Sequence, residues 1–224
     1  MLKPKKRLTR REIKEDKFVT TYAKVTKYLE ENSKFVIGAA AAIVIIILAA
    51  GLIRAGKRAA EGKAAVELAR GFSAYQRMDL TSATDILRSA VEDYGGTKNG
   101  SLAFLHLGNA LYEQGEYAEA MRYYEKAARK VGKVRFLAAA ANAAVAECLE
   151  QEKNYAQAAR RYEEVAKRYG EELLAPKHLL AAGRCYALAG QRDEAERVLR
   201  LLLDKYPDAQ EKTQAQLLLG EVRG

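Results

Sequence analysis

The chain has little of the chemistry that small stapled or metal-built domains depend on. Two cysteines among 224 residues exclude a disulfide-stapled mini-fold and a four-ligand zinc module. Two histidines leave no material for a His-based metal or catalytic cluster, and three prolines exclude a collagen-like or proline-rich chain. What is present sits near the soluble average: 49% hydrophobic and 30% charged residues exclude a disordered polar tail and a polytopic membrane protein. That length allows one or two domains and a sizeable core.

The formal charge of +9 would suggest nucleic acid if it were spread over a folded body. It is not. Residues 1–34 hold 11 Lys/Arg against 5 Asp/Glu, whereas residues 54–224 hold 27 against 24. The excess is thus +6 in the first stretch and only +3 in the rest, which argues against a nucleic-acid-binding body.

Between the two lies Phe35–Ile53, 19 residues without a charge, bracketed by Lys34 and Arg54. As a helix this run reaches roughly 28 Å, the thickness of a bilayer's hydrocarbon. A buried soluble helix would show a polar face, and this run has none. It begins too late and runs too long for a cleaved signal, so an uncleaved signal anchor is predicted. Eleven basic residues precede it and four follow closely (Arg54, Lys57, Arg58 and Lys63). That bias predicts a cytoplasmic N-terminus and residues 54–224 across the membrane, in a bacterium the periplasmic side of the inner membrane. Within the basic arm, Thr9-Arg10-Arg11-Glu12 fits a capping box. Phe18, Tyr22, Val25 and Leu29 then recur at helical spacing. The stripe fits a helix on the anionic leaflet or against a partner, and equally a solvated arm whose charges only set orientation.

Residues 64–224 are periodic. Ala83/Leu87, Ala120/Tyr124, Ala158/Tyr162 and Ala195/Leu199 recur at 37, 38 and 37 residues, and twelve residues before each alanine stands Gly71, Gly108, Ala146 or Gly183. Small residues in fixed register let helix A and helix B of each unit approach closely. One unit cannot bury its own apolar faces, so a stack is required.

These residues resemble the tetratricopeptide repeat. The second unit, residues 101–132, has Leu107-Gly108, Leu111, Tyr117, Ala120, Tyr124 and Ala127 where that family has its signature residues. The fourth unit adds Gly183, Tyr186, Gly190, Ala195, Leu199 and Pro207; the other units have Gly95, Gly132 and Gly170 at the proline's place, and a glycine stop is predicted there. Glu67 and Arg70 stand where apolar residues are expected, as suits a terminal repeat. The period exceeds the family's usual length, which predicts longer inter-repeat turns such as Gly95–Gly100. Ala209–Val222 is in phase for a last helix A without a helix B, a capping helix. The expected fold is all-α: residues 1–34 a basic arm, 35–53 a transmembrane helix, 54–63 a linker, and 64–224 an α-solenoid of about four repeats with its cap.

No catalytic or metal constellation emerges, and no cofactor is expected. His106 and His178 fall on helix A of different repeats, without a spacing that pairs them, and read as helix-surface residues. Cys148 and Cys185 share the tenth position of adjacent A helices, where small packing residues are the default and a disulfide is not expected.

The repeat resemblance implies a groove lined by helix A. Its inward positions give Leu68, Phe72 and Tyr75 in the first unit, Leu102, Leu105, Asn109 and Tyr112 in the second, and Leu180 and Arg184 in the fourth. The N-terminal half is apolar and aromatic, suited to a hydrophobic peptide or helix; the alternative is a groove filled by the chain's own capping helix. A short basic arm, one span and about four exported repeats also resemble the ancillary SecYEG translocon subunit family. That resemblance implies a non-enzymatic scaffold whose partners are translocon subunits, periplasmic chaperones or client polypeptides. The other reading is a scaffold for outer-membrane protein insertion or cell division.

Overall fold

Alanine, leucine and long charged side chains dominate between the glycines, and the backbone answers with helix throughout. The computed structural model describes residues 10–170 and 174–224, with side chains from Val19 onward. Among these residues there are ten helices and no strand. Thr9, the proposed cap of the first helix, lies outside them, as does the side chain of Phe18.

The chain divides into two units, residues 1–56 and 57–224. In the first, α1 (Arg10–Glu31) is followed by α2 (Ser33–Gln76). Helical hydrogen bonding continues through the junction, from Asn32 N to Tyr28 O and from Val36 N to Asn32 O, both 3.0 Å. Tyr22, Val25 and Leu29 lie exposed on α1. In α2, Ile43 to Leu48 each leave 54–66% of their surface uncovered. A core helix would bury one side of such a run; this one is apolar all round, and the helix is long and apolar enough to cross a membrane. Residues 54–63 are helical too, inside α2.

The second unit is a stack of helix pairs. The end of α2 pairs with α3 (Leu80–Tyr94), α4 (Lys98–Glu113) with α5 (Tyr117–Lys130), α6 (Arg135–Gln151) with α7 (Tyr155–Arg168), and α8 (Ala175–Leu188) with α9 (Arg192–Lys205). α10 (Lys212–Arg223) packs on α9 and α8. From α3 onward each helix packs on its neighbours in sequence, as a solenoid requires.

The repeat register is a steric one. Ala83, Ala120, Ala158 and Ala195 are fully buried, and so is Ala146. A Cβ on Gly71 would stand 2.6 Å from Leu87 Cγ, one on Gly108 2.7 Å from the Tyr124 ring, and one on Gly183 2.6 Å from Leu199 Cδ2. The eighth position of helix A is therefore the seat of the large side chain four residues after the helix B alanine.

One expectation changes. The added length of the repeat does not lie in the turn after α3, because α4 begins at Lys98 with Thr97 as N-cap. The A helices α4 and α6, at 16 and 17 residues, take up the length at their N-termini. Gly95, Gly132 and Gly170 do stand at helix ends, Gly95 as the C-cap of α3 and the other two just past the C-caps Val131 and Tyr169 of α5 and α7, but without left-handed backbone. Gly95 caps α3 at φ −60°; a Cβ there would collide with Val91 O and come within 2.9 Å of the Phe104 ring. Left-handed backbone falls instead between helix A and helix B, at one position in all four repeats: Met78 (φ 59°), Gly115 (82°), Lys153 (59°) and Gly190 (72°).

A carboxylate from α2 fixes the start of the second repeat. Glu61 accepts hydrogen bonds from Lys98 N (2.8 Å), Asn99 N (2.9 Å) and Asn99 Nδ2 (2.7 Å). Thr97 Oγ1 accepts from Gly100 N at 2.9 Å. Three orphan donors of α4 are thereby satisfied.

Candidate functional site

The A helices line one side of the stack, and their partly covered side chains form its groove. At the N-terminal end Phe72 is 39% exposed. Its ring meets His106 edge-on at 5.0 Å. Leu68 and Leu105 are half-buried and rest on the main core. Tyr75 packs over Ala74, Ala83 and Ala110; burial, then Glu113, holds its phenol above the usual range. Tyr112 meets Tyr117 edge-on at 5.2 Å. α10 packs on α8 and α9, so the capping helix does not cover the N-terminal end of the groove.

The other expected residues divide. Asn109 is half-buried, and its Oδ1 accepts a hydrogen bond from Tyr124 OH at 2.9 Å. Leu180 is half-buried on the main core. Leu102 is set apart, packed with Val131, Ala138, Ala143 and Tyr169 in a second cluster.

Arg184 opens the polar half. It pairs with Glu150 at 2.6 Å, and Glu150 also accepts a hydrogen bond from Tyr162 OH at 3.3 Å. Gln151 Nε2 donates to Tyr112 OH at 3.0 Å, tying α6 to α4. These groups, with Glu147, Lys177 and His178, line a hollow of about 290 Å³. Glu147, Glu150, Gln151 and Lys177 occupy inward positions of the repeat, so the register that placed Arg184 also places them.

The histidines are a correction. His178 is 7% exposed, not a surface residue, and its ring stacks on Tyr162 at 6.1 Å. His106 is half-buried. His106 Nδ1 and His178 Nε2 are buried without a hydrogen-bond partner. Burial, with Lys177 beside it, lowers the His178 pKa to about 4, so the ring is neutral at physiological pH. The helix-surface expectation failed because α8 turns this residue onto α7, where Tyr162 covers it. Cys148 and Cys185 are free and fully buried, and burial pushes each thiol up to about 12. They act as small apolar residues, unreactive as thiolates. Among the described residues no group of three or more His, Cys, Asp or Glu is placed to hold a metal ion.

The groove thus joins an apolar strip, a set of fixed hydrogen-bonding groups and one ion pair. Such a surface can hold an extended or helical polypeptide; it offers no activated nucleophile.

The sequence profile of the family described as soluble NSF attachment protein, SNAP, matches residues 48–221. No curated protein matches the chain. Among solved structures, the apo form of RapI is similar at 18% identity and TM-score 0.61, over 70% of this chain. The chain spans about half of RapI, 46% of its length. A Podospora anserina putative kinesin light chain with nearly identical TPR-like repeats is similar at 16% identity and TM-score 0.52, covering 70% of this chain and 92% of that one. A point variant of that same protein gives 15% and 0.53 over the same shares. These identities speak for the fold alone: a stack of helical repeats.

Proposed function

The chain belongs to the soluble NSF attachment protein family, and from that premise we propose that it is a membrane-anchored scaffold whose repeats hold polypeptide partners in the groove of the A helices. The observation that carries this reading is the uncovered apolar strip. Phe72, Leu68, Leu105 and Tyr112 are only partly covered, whereas the closest approaches between helices are made at Gly71 and Gly108 and at the buried Ala83 and Ala120. Large side chains left open in the groove suit a partner.

The anchor is the uncharged run of α2. Its basic bias argues for an N-terminus in the cytoplasm and repeats on the far side, the periplasm in a bacterial cell. On this reading the clients are chains that have just crossed the membrane, and the scaffold works beside the export channel, receiving them or passing them to chaperones.

Site-specific photocrosslinking in intact membranes tests the groove. A crosslinker at Leu68 or Leu105 should capture polypeptide, while one at the exposed Leu201 of α9 should not. Equal capture at all three sites would refute the groove. Reporter fusions at residues 20 and 224 test the topology; a reporter active in the cytoplasm at residue 224 would overturn both the placement and the export role.

A further inference from the structure

The B helices carry a second hollow that the groove does not use. It lies between the second and third repeats, holds about 330 Å³, and is lined by Glu125 and Arg129 of α5, Asn142 of α6, and Arg161, Arg168 and Tyr169 at α7. Three guanidiniums face one carboxylate. Arg161 pairs with Glu164 at 3.3 Å, a half-exposed contact within one helix that contributes little. Arg129 and Arg168 have no ion pair among the described residues.

The arginines are not loose surface charges. Tyr169 is 7% exposed, with Asn142 Nδ2 at 3.5 Å from its hydroxyl. The guanidinium of Arg168 lies 5.6 Å from the centre of the Tyr169 ring, and that of Arg135 lies 5.7 Å from it. A buried ring therefore positions Arg168 at the rim of the hollow.

The local charge is concentrated. Residues 122–135 hold six Lys/Arg against one Glu, an excess of +5, more than the +3 net of all residues 54–224. Basic residues in a last helical turn complement the helix dipole, but that does not account for this set. α3 reaches its end with Glu92 and Asp93, and α9 with Asp204 before Lys205. Arg161, moreover, sits in the middle of α7.

We propose that this hollow is an anion site for a compact phosphate group, either a free phosphate ester or diphosphate or the headgroup of a phospholipid. Guanidinium forks match phosphate oxygens in pairs. The volume falls at the lower end of small-ligand sites, roughly 300–1,000 Å³, which suits a headgroup-sized anion rather than a folded partner. Glu125 remains as an acceptor for a hydroxyl of the ligand.

Calorimetry of the full chain in neutral-detergent micelles, titrated with inorganic pyrophosphate at fixed chloride, tests the free-ligand source. Native mass spectrometry of the chain from micelles containing phosphatidic acid tests the lipid source. Binding in either arm should weaken at least about tenfold in Arg129→Gln/Arg168→Gln. It should hold in Lys126→Gln/Lys130→Gln, which removes the same charge from α5 outside the hollow. Arg129→Lys/Arg168→Lys keeps the charge but loses the forks; it should also weaken binding, and serves if the Gln pair melts early. Glu171→Gln/Glu172→Gln removes the carboxylates next to Arg168 in sequence and should leave binding unchanged or tighter. The arm that shows the arginine dependence names the source. Failure of both arms, equal loss in the Lys and Arg variants, or loss in the Glu variant would overturn the site.

Discussion

Exchanging residues at the turn between helix A and helix B should move stability in opposite directions in different repeats. Met78, Gly115, Lys153 and Gly190 all take left-handed backbone at the same position. An L side chain there costs roughly 1–2 kcal/mol in the folded state. Glycine avoids that strain but gives up roughly 0.5–1 kcal/mol through its freer unfolded chain. Lys153→Gly should therefore stabilise by about 0.5–1 kcal/mol. The reverse change, Gly115→Ala, should cost a similar amount, and its reading is clean because nothing lies within 4 Å of the Cβ it would add. For a unit of this size such changes move Tm by roughly 1–4 °C. Thermal melts by circular dichroism of the full chain in neutral detergent, backed by urea midpoints, provide the assay. A lower Tm for Lys153→Gly together with an unchanged Tm for Gly115→Ala would refute the reasoning.

Gly108→Leu and Ala120→Leu insert bulk where α4 meets α5 and should each cost about 1–3 kcal/mol or more, while the exposed Ala118→Leu should be mild; equal melting temperatures for all three would mean the register is misassigned. Glu61→Ala leaves the N–H groups of Lys98 and Asn99 without their carboxylate and should cost about 1–2 kcal/mol, read as faster hydrogen exchange in the first turn of α4. Phe72→Ala/Tyr112→Ala should stay folded, with a melt lowered by the lost contacts to His106, Tyr117 and Gln151, yet lose about 2 kcal/mol or more of partner binding, and undiminished crosslinking would sink the groove. His178 resists protonation when folded, so the stability it protects is full above the unfolded pKa near 6.5 and is lost as pH falls toward about 4; the gap in Tm between the chain and His178→Phe should shift over that interval, and a gap constant with pH would count against a buried neutral ring.

The repeat register is legible in the sequence because it is enforced by contact. Gly108 has room for no Cβ beside Tyr124, and the same exclusion recurs at Gly71 and Gly183, so composition at a fixed period carries the geometry. Once the register is known, the groove positions follow, including those of Glu150 and Lys177. Where contact imposes no residue type, the sequence is silent. Lys153 takes a left-handed turn at a tolerable cost and looks like any surface lysine. His178 is polar by type and buried by its neighbours. Glu61 reaches an N-terminus 37 residues away, and the arginines of the hollow beside Tyr169 (Arg129, Arg161 and Arg168) lie on B helices whose charges look like an ordinary solvated face. The segment after α3 reads as a turn because Gly95–Gly100 has the composition of a loop, while Thr97 and Glu61 cap it into the start of a helix.

Packing that runs mostly between sequence neighbours also sets an order of events. No helix from α3 to α9 waits for a distant partner, so a chain arriving from its N-terminal end can fold as it comes, each pair closing on the one before. The first turn of α4 takes its cap from Glu61, a residue already in place when Lys98 appears. α10 follows them and packs on α8 and α9. Until it does, the faces of α8 and α9 that α10 packs on stay open, and the growing end is a sticky surface of the array. A chain cut short within α10 would keep its earlier repeats intact and aggregate by its unfinished end.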